Sequence, residues 1–187
     1  MVAARTSQIL NYKALADDTK IDMTTAKAWV NILETPGIIF LLRPYSNNVL
    51  KRTIKTPKVF FYDTGLVCYL TKWSSPEIAE SGAMSGALLE NFAVSEIMKS
   101  YQNAGLEPYI YFYRNRDAKE IDVVIEGDGK LCPLELKKTA APDNRIIKTF
   151  GVLDKASTEI GTGAVLCMEE QLGAFDRENL IVPIWMI

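Results

Sequence analysis

The chain has 187 residues, 48% of them hydrophobic and 24% charged, with 21 Lys and Arg against 23 Asp and Glu and no histidine. That length buries a substantial core as one large or two small domains, and the composition is that of a globular protein rather than a disordered or fibrous one. Without histidine there is no Ser-His-Asp or Cys-His hydrolase, no His-ligated zinc or non-haem iron and no imidazole proton shuttle, so any catalysis rests on carboxylates, Lys, Tyr or a thiol.

Cys68, Cys132 and Cys167 are odd in number, widely spaced and set in apolar runs, the pattern of buried free thiols in a reducing cytoplasm. No apolar run reaches the ~18 residues that cross a bilayer, and Met1 to Ser7 lacks the apolar core of a secretory signal. A cytoplasmic protein without a membrane partner is the expectation. Charge is unevenly spread. Between Thr35 and Tyr62 stand Arg43, Lys51, Arg52, Lys55 and Lys58 with no acid, leaving 16 basic against 23 acidic residues elsewhere. One basic segment therefore sits on an acidic body.

In chain order, Asn11 to Asp18 reads as a short helix and Lys20-Ile21-Asp22 as a tight turn. A second helix follows from Met23 to Glu34, with Asp22 as its N-cap and Pro36-Gly37 as its stop. Ala26, Trp29, Val30 and Leu33 recur at helical spacing, which predicts a buried face with Trp29 in the core. Ile38–Leu42 and Lys58–Tyr62 read as two strands of a hairpin, and Asp63-Thr64-Gly65 opens a helix to about Lys72. Helix, turn, helix and hairpin is a winged helix-turn-helix order. The Ser, Pro and Gly between Ser74 and Gly86 mark a junction, which divides the chain into residues 1–75 and 82–187.

Beyond it, Ala87 to about Tyr101 is a helix dense in apolar residues. Tyr109–Tyr113 is an aromatic strand whose rings read as core packing. Ile121–Glu126 and Leu131–Lys137 are strands joined by Gly127-Asp128-Gly129, a strong hairpin signal. Asp143–Lys155 reads as a helix, Ala164–Met168 as a buried strand and Leu180–Ile187 as a last strand. The order is α-β-β-β-α-β with a terminal strand, an α/β (α+β) chain with a mixed sheet.

Within that order, Glu135 and Lys137 project from the same face of one strand while Leu134 and Leu136 turn to the core. On the preceding strand, Asp122 points the same way, opposite Leu134 or Glu135. Two close carboxylates repel each other, and a hard divalent cation such as Mg²⁺ or Mn²⁺ relieves the repulsion. Such a cation lowers the pKa of coordinated water and stabilises charge on a phosphodiester oxygen, with a lysine beside it to orient water or stabilise the crowded phosphorus.

The Asp122-(x12)-Glu135-x-Lys137 spacing, preceded by a helix containing Glu90 and followed by a helix and a strand, resembles the PD-(D/E)xK nuclease superfamily, whose core has the same element order. The resemblance implies a restriction-endonuclease-like fold. It makes Asp122, Glu135 and Glu90 metal ligands and Lys137 the catalytic lysine. Ile121 stands where the family name has proline. Arg5-Thr6-Ser7-Gln8, Ile32-Leu33-Glu34, Pro44-Tyr45-Ser46-Asn47-Asn48, Lys51-Arg52 and Lys58 through Leu66 widen the likeness to nearly the whole chain. They resemble the C-terminal region of bacterial and archaeal AAA+-type P-loop ATPases, where a winged helix precedes a nuclease-like domain of unknown function. No GxxxxGK[ST] loop occurs in the 187 residues. By this resemblance the ATPase portion lies upstream, is a partner of this region, and is the only route to ATP.

For nucleic acid, the expected contacts are Arg43, Lys51, Arg52 and Lys55 on the wing and Thr25 and Lys27 on the exposed face of the second helix. They suit mainly phosphate contact with DNA at low sequence specificity. A solvated hairpin, or a face docked on the ATPase portion, accounts for the same residues. So does a catalytically silent, regulatory use of the nuclease fold for the acidic body. None of these features specifies an oligomeric state.

Overall fold

The computed structural model describes residues 1–46, 55–115 and 117–187. Two compact units are present, one made of Met1–Leu42 with Thr56–Lys99 and the other of Arg43–Lys55 with Ser100–Ile187. The chain is a mixed α/β protein.

In the first unit, helix α1 (Tyr12–Thr19) begins where the Asn11 side chain accepts the Ala14 N–H, and it ends on Lys20 in the left-handed region. Asp22 caps α2 (Met23–Glu34) by accepting the Thr25 N–H at 2.9 Å. Strand β1 (Ile39–Leu42) pairs antiparallel with β2 (Lys58–Phe61), Ile39 facing Phe61 and Leu42 facing Lys58. The free edge of β2 is covered by the N-terminal segment: Ser7 N–H donates to Val59 O and Leu10 N–H to Pro57 O, both at 2.8 Å. Helix α3 (Thr64–Thr71) is capped by Asp63, and the short α4 (Pro76–Ser81) by Ser75 with proline at its first position. Helix α5 (Ser85–Asn103) follows. Leu10, Leu15, Val30, Ile39, Val59 and Val67 are central to the core.

Trp29 departs from expectation. It is 54% exposed, while Ala26 and Val30 on the same helix are buried. In a helix turning 100° per residue, Ala26, Val30 and Leu33 define the middle of the stripe and Trp29 falls at its margin. Its ring borders an apolar hollow of about 490 Å³ instead of filling the core.

In the second unit, β3 (Ile110–Arg114), β4 (Glu120–Gly127) and β5 (Lys130–Lys137) form an antiparallel meander. Gly127 pairs with Lys130, so the turn is two residues long, and Asp128 (φ 50) and Gly129 (φ 74) both lie in the left-handed region. That is the primed turn that Asp-Gly favours. Beyond the meander, β6 (Glu159–Ile160) and β7 (Gly163–Cys167) both run parallel to β5. β6 pairs with Lys130 and Leu131, and β7 with Leu134 through Lys137. Cys132 and Pro133 occupy the gap between them, where a proline interrupts the ladder least. The short β8 (Gly173–Ala174) and β9 (Asn179–Pro183) complete the sheet, with the order β3-β4-β5-β7-β9-β8 and β6 beside β5.

Two expected elements change form. The predicted helix over Asp143–Lys155 is a 3₁₀ helix, Ile146–Lys155. Its β-branched Ile146, Ile147, Thr149 and Val152, with Gly151 among them, have low α-helical propensity. The last strand stops at Pro183 and gives way to a 3₁₀ turn, Ile184–Met186, because proline offers no N–H to continue the ladder. Phe150 and Leu153 of the long 3₁₀ helix pack with Tyr45, Tyr113, Ile121, Val124 and Leu131. Phe112 and Tyr113 are buried as expected of the aromatic strand, whereas Tyr109 is exposed.

Candidate functional site

Because Val123 pairs with Leu134, the next position along places Asp122 opposite Glu135. The two-residue turn settles the register. Asp122 Oδ2 accepts the Leu136 N–H at 2.9 Å, which ties the carboxylate to the neighbouring strand. Lys137 Nζ lies 2.9 Å from Glu135 Oε2 and 3.9 Å from Asp122 Oδ2. Asp122, Glu135 and Lys137 therefore gather on one face of β4 and β5, at the floor of an open cleft of about 670 Å³.

Burial and charge set the electrostatics of that floor. Glu135 is only 5% exposed. Its pKa is pushed up to about 8, first by burial and then by the Asp122 charge, with the Lys137 hydrogen bond and charge opposing both. At neutral pH the pair therefore holds a proton that an isolated glutamate would release. This is the electrostatic condition that a divalent cation relieves, and Asp122 and Glu135 fit one held by two carboxylates with its other positions open to water or substrate. Lys137, half-exposed, remains accessible from the cleft.

Glu90 stands on α5, within the first unit. Its Oε1 accepts Lys58 Nζ at 2.8 Å, an ion pair in which the lysine is buried. Among the described residues, no group of three or more His, Cys, Asp or Glu side chains is placed to hold a metal. Asn91, next to Glu90, is fully buried and was not a candidate from sequence. Its Oδ1 accepts from Thr6 Oγ1 (2.6 Å) and Phe61 N–H (2.8 Å), and its Nδ2 donates to Phe61 O (3.1 Å) and Thr64 Oγ1 (2.9 Å).

Of the residues expected to meet nucleic acid, Thr25 and Lys27 stand on α2 in the first unit. Thr25 turns its hydroxyl onto Asp22, and Lys27 Nζ stands 5.7 Å from the Tyr12 ring centroid. Arg43 and Lys55 are exposed in the second unit, and Arg43 O accepts the Phe112 N–H. Lys51 and Arg52 lie outside the described residues.

The family model for "Domain of unknown function (DUF4143)" matches residues 85–187, more than half of the chain. The chain belongs to the DUF4143 family. Residues 1–77 match a second model, "Domain of unknown function (DUF8612)". The chain is 27% identical over 143 residues to the uncharacterized proteins Mb2031c of Mycobacterium bovis and Rv2008c of Mycobacterium tuberculosis. The match covers 76% of this chain and 31% of each relative, so the chain spans about a third of their length. No solved structure matches it significantly. All three members of the Asp122, Glu135, Lys137 cluster fall within the DUF4143 match. No helix among the described residues is long and apolar enough to cross a membrane.

Proposed function

We propose that the DUF4143 unit is a nuclease-like module of the PD-(D/E)xK type, hydrolysing phosphodiesters with Mg²⁺ or Mn²⁺, and that the helix–turn–helix and hairpin before it form a winged helix. In this reading the chain is the C-terminal region of a P-loop ATPase, acts on DNA in the cytoplasm, and meets ATP only through that ATPase portion. The observation that carries it is the placement of Asp122 and Glu135 on adjacent strands with Lys137 Nζ within 4 Å of both. The order α5, β3, β4, β5, 3₁₀ helix, β7 around them supports it.

Asp122 and Glu135 would hold the cation, which supplies Lewis-acid stabilisation of phosphate charge and acidifies water. The chain's own residues do the rest. Leu136 N–H fixes the Asp122 carboxylate on the neighbouring strand. Lys137 stabilises the negative charge that builds on the phosphoryl oxygens as the bond to the leaving oxygen breaks. The buried setting of Glu135 keeps these interactions strong by excluding water from one side.

The test is incubation of the purified chain with DNA and Mg²⁺ or Mn²⁺. Cleavage is expected to disappear in Asp122→Ala and in Lys137→Ala; cleavage that persists in both variants assigns the activity elsewhere. One observation favours a second reading, a catalytically silent regulatory module that binds nucleic acid or protein: Glu90, at the position where a helical acid often joins the metal shell in the nuclease resemblance, is engaged by Lys58. Calorimetry separates the two, because a site that takes up neither Mg²⁺ nor Mn²⁺ at millimolar concentration does not support metal-dependent cleavage.

A further inference from the structure

Among the described residues, the unengaged cations lining the carboxylate cleft come from outside the basic segment singled out in the sequence. Of the charged side chains lining it, Glu120 is paired with Arg114 at 3.0 Å and Asp143 with Arg145 at 2.8 Å. Lys137 is held by Glu135 and Asp122 on the floor. Two cations remain, Lys119 and Lys148, both exposed and neither in an ion pair among the described residues. They reach the same cleft from separate elements.

Lys119 ends the β3–β4 connection, where its N–H donates to Asn115 Oδ1 and its carbonyl accepts the Asn115 N–H, both at 3.0 Å. Ala118 just before it adopts φ 59. Lys148 stands on the 3₁₀ helix that Phe150 and Leu153 anchor in the core. Each lysine thus has an anchored backbone and an exposed side chain, the arrangement of a point-charge phosphate contact. The floor needs such a rim. Lys137 at most balances the carboxylates of the floor, which therefore offers a polyanion little attraction of its own, and the cations around it decide whether a phosphodiester enters at all. Ile146 and Val152 add apolar wall to the same cleft, suited to sugar rather than to a further phosphate.

We infer that Lys119 and Lys148 form a two-point clamp for a nucleic-acid backbone, binding phosphates that flank the one presented to Asp122 and Glu135. The inference rests on the phosphodiester reading of that site and names its grip on substrate. Both contacts are to phosphate, so DNA and RNA strands are held alike and without base preference.

The experiment is fluorescence anisotropy of a labelled single-stranded oligodeoxynucleotide, and separately of an oligoribonucleotide, titrated with the full chain in EDTA across a salt series. Each phosphate contact on a single strand contributes a slope of about −0.7 to log K against log salt. The double variant Lys119→Gln, Lys148→Gln is expected to flatten that slope by about 1.4 and to weaken binding at least about tenfold at low salt. The charge-matched Lys13→Gln, Lys20→Gln is expected to leave it unchanged. Absence of binding by the unaltered chain overturns the inference, as does an unchanged slope in the cleft variant or an equal loss in the control. The catalytic reading fails separately: if no cleavage occurs with Mg²⁺ or Mn²⁺ but the cleft variant loses its slope, the clamp stands without the chemistry. If cleavage occurs and the slope is unaffected, the chemistry stands without the clamp.

Discussion

Lys58 Nζ lies 2.8 Å from Glu90 Oε1, and the lysine side chain is 4% exposed. The pair joins the first residue of β2 to α5 within the first unit. Breaking a fully buried ion pair costs about 3–5 kcal/mol, and less where one partner reaches solvent, as the 19% exposed Glu90 side chain does. Lys58→Met is therefore expected to lower the urea midpoint strongly, whereas Lys58→Met combined with Glu90→Leu recovers much of the loss, as a double-mutant cycle will show. Glu90→Gln is expected to leave Mn²⁺ affinity at the cleft unchanged, while Asp122→Ala removes it. A Mn²⁺ affinity that falls with Glu90→Gln would return Glu90 to the metal.

Asn91 joins three pieces of chain that are distant in sequence: Thr6, the end of β2 at Phe61, and the start of α3 at Thr64. Both of its amide atoms are satisfied by two partners each, with no water needed. Asn91→Leu preserves approximate volume but leaves the Phe61 N–H and C=O unpaired in the interior, expected to cost about 2–4 kcal/mol. Asn91→Asp removes the two donors and places a charge where Phe61 O and Thr64 Oγ1 expect N–H. Chemical denaturation should rank both below the unaltered chain, and amide exchange should show Phe61 losing protection in Asn91→Leu.

The β4–β5 turn makes a sharper local prediction. Gly129 sits at φ 74 with nothing within 4 Å of a Cβ built on it, so a side chain there meets no clash and only the backbone conformation opposes it. Gly129→Ala is expected to cost about 1 kcal/mol, and Gly129→Asn less, because asparagine tolerates the left-handed region. Thermal melting of the two variants distinguishes a conformational effect from a packing one, which would penalise the larger asparagine more.

What was legible in the sequence follows the range of the interactions involved. Asn11, Asp22 and Asp63 cap their helices through contacts three residues away, so these helix starts can be read locally, whereas the short helix capped by Ser75 falls in the stretch that reads as a junction. The Asp-Gly turn gives the hairpin, and alternation on β5 puts Glu135 and Lys137 on one face. Asn91 and Lys58 could not be assigned this way, because their partners lie 27 to 85 residues distant. A lone acid in an apolar helix looks the same whether its partner is a metal or a lysine 32 residues earlier. Trp29 was misread because helical spacing identifies a face but not how wide its buried part is. The clamp lysines carry no local signal at all: they matter only because the β3–β4 connection and the 3₁₀ helix border one cleft.

Glu135 gives the chain a pH dependence whose sign can be worked out. In the unfolded chain a glutamate titrates near its ordinary value of 4.5, whereas in the folded protein its pKa is about 8, through burial and the Asp122 charge. Between those values the folded state holds one proton more than the unfolded state, so stability falls as pH rises, by up to about 1.4 kcal/mol per pH unit. Below the lower value both states are protonated and above the upper value neither is, so the contribution is flat outside the window. Urea denaturation in EDTA at several pH values should show this decline, set against whatever the remaining groups contribute. Glu135→Gln, which keeps the shape of the neutral acid, should remove the decline and be more stable than the unaltered chain near pH 8. Lys137→Met, which takes away a group that favours the charged form, should extend the decline to higher pH. A Glu135→Gln profile parallel to that of the unaltered chain would mean that Glu135 is already ionised at neutral pH, with Lys137 outweighing burial and Asp122 together.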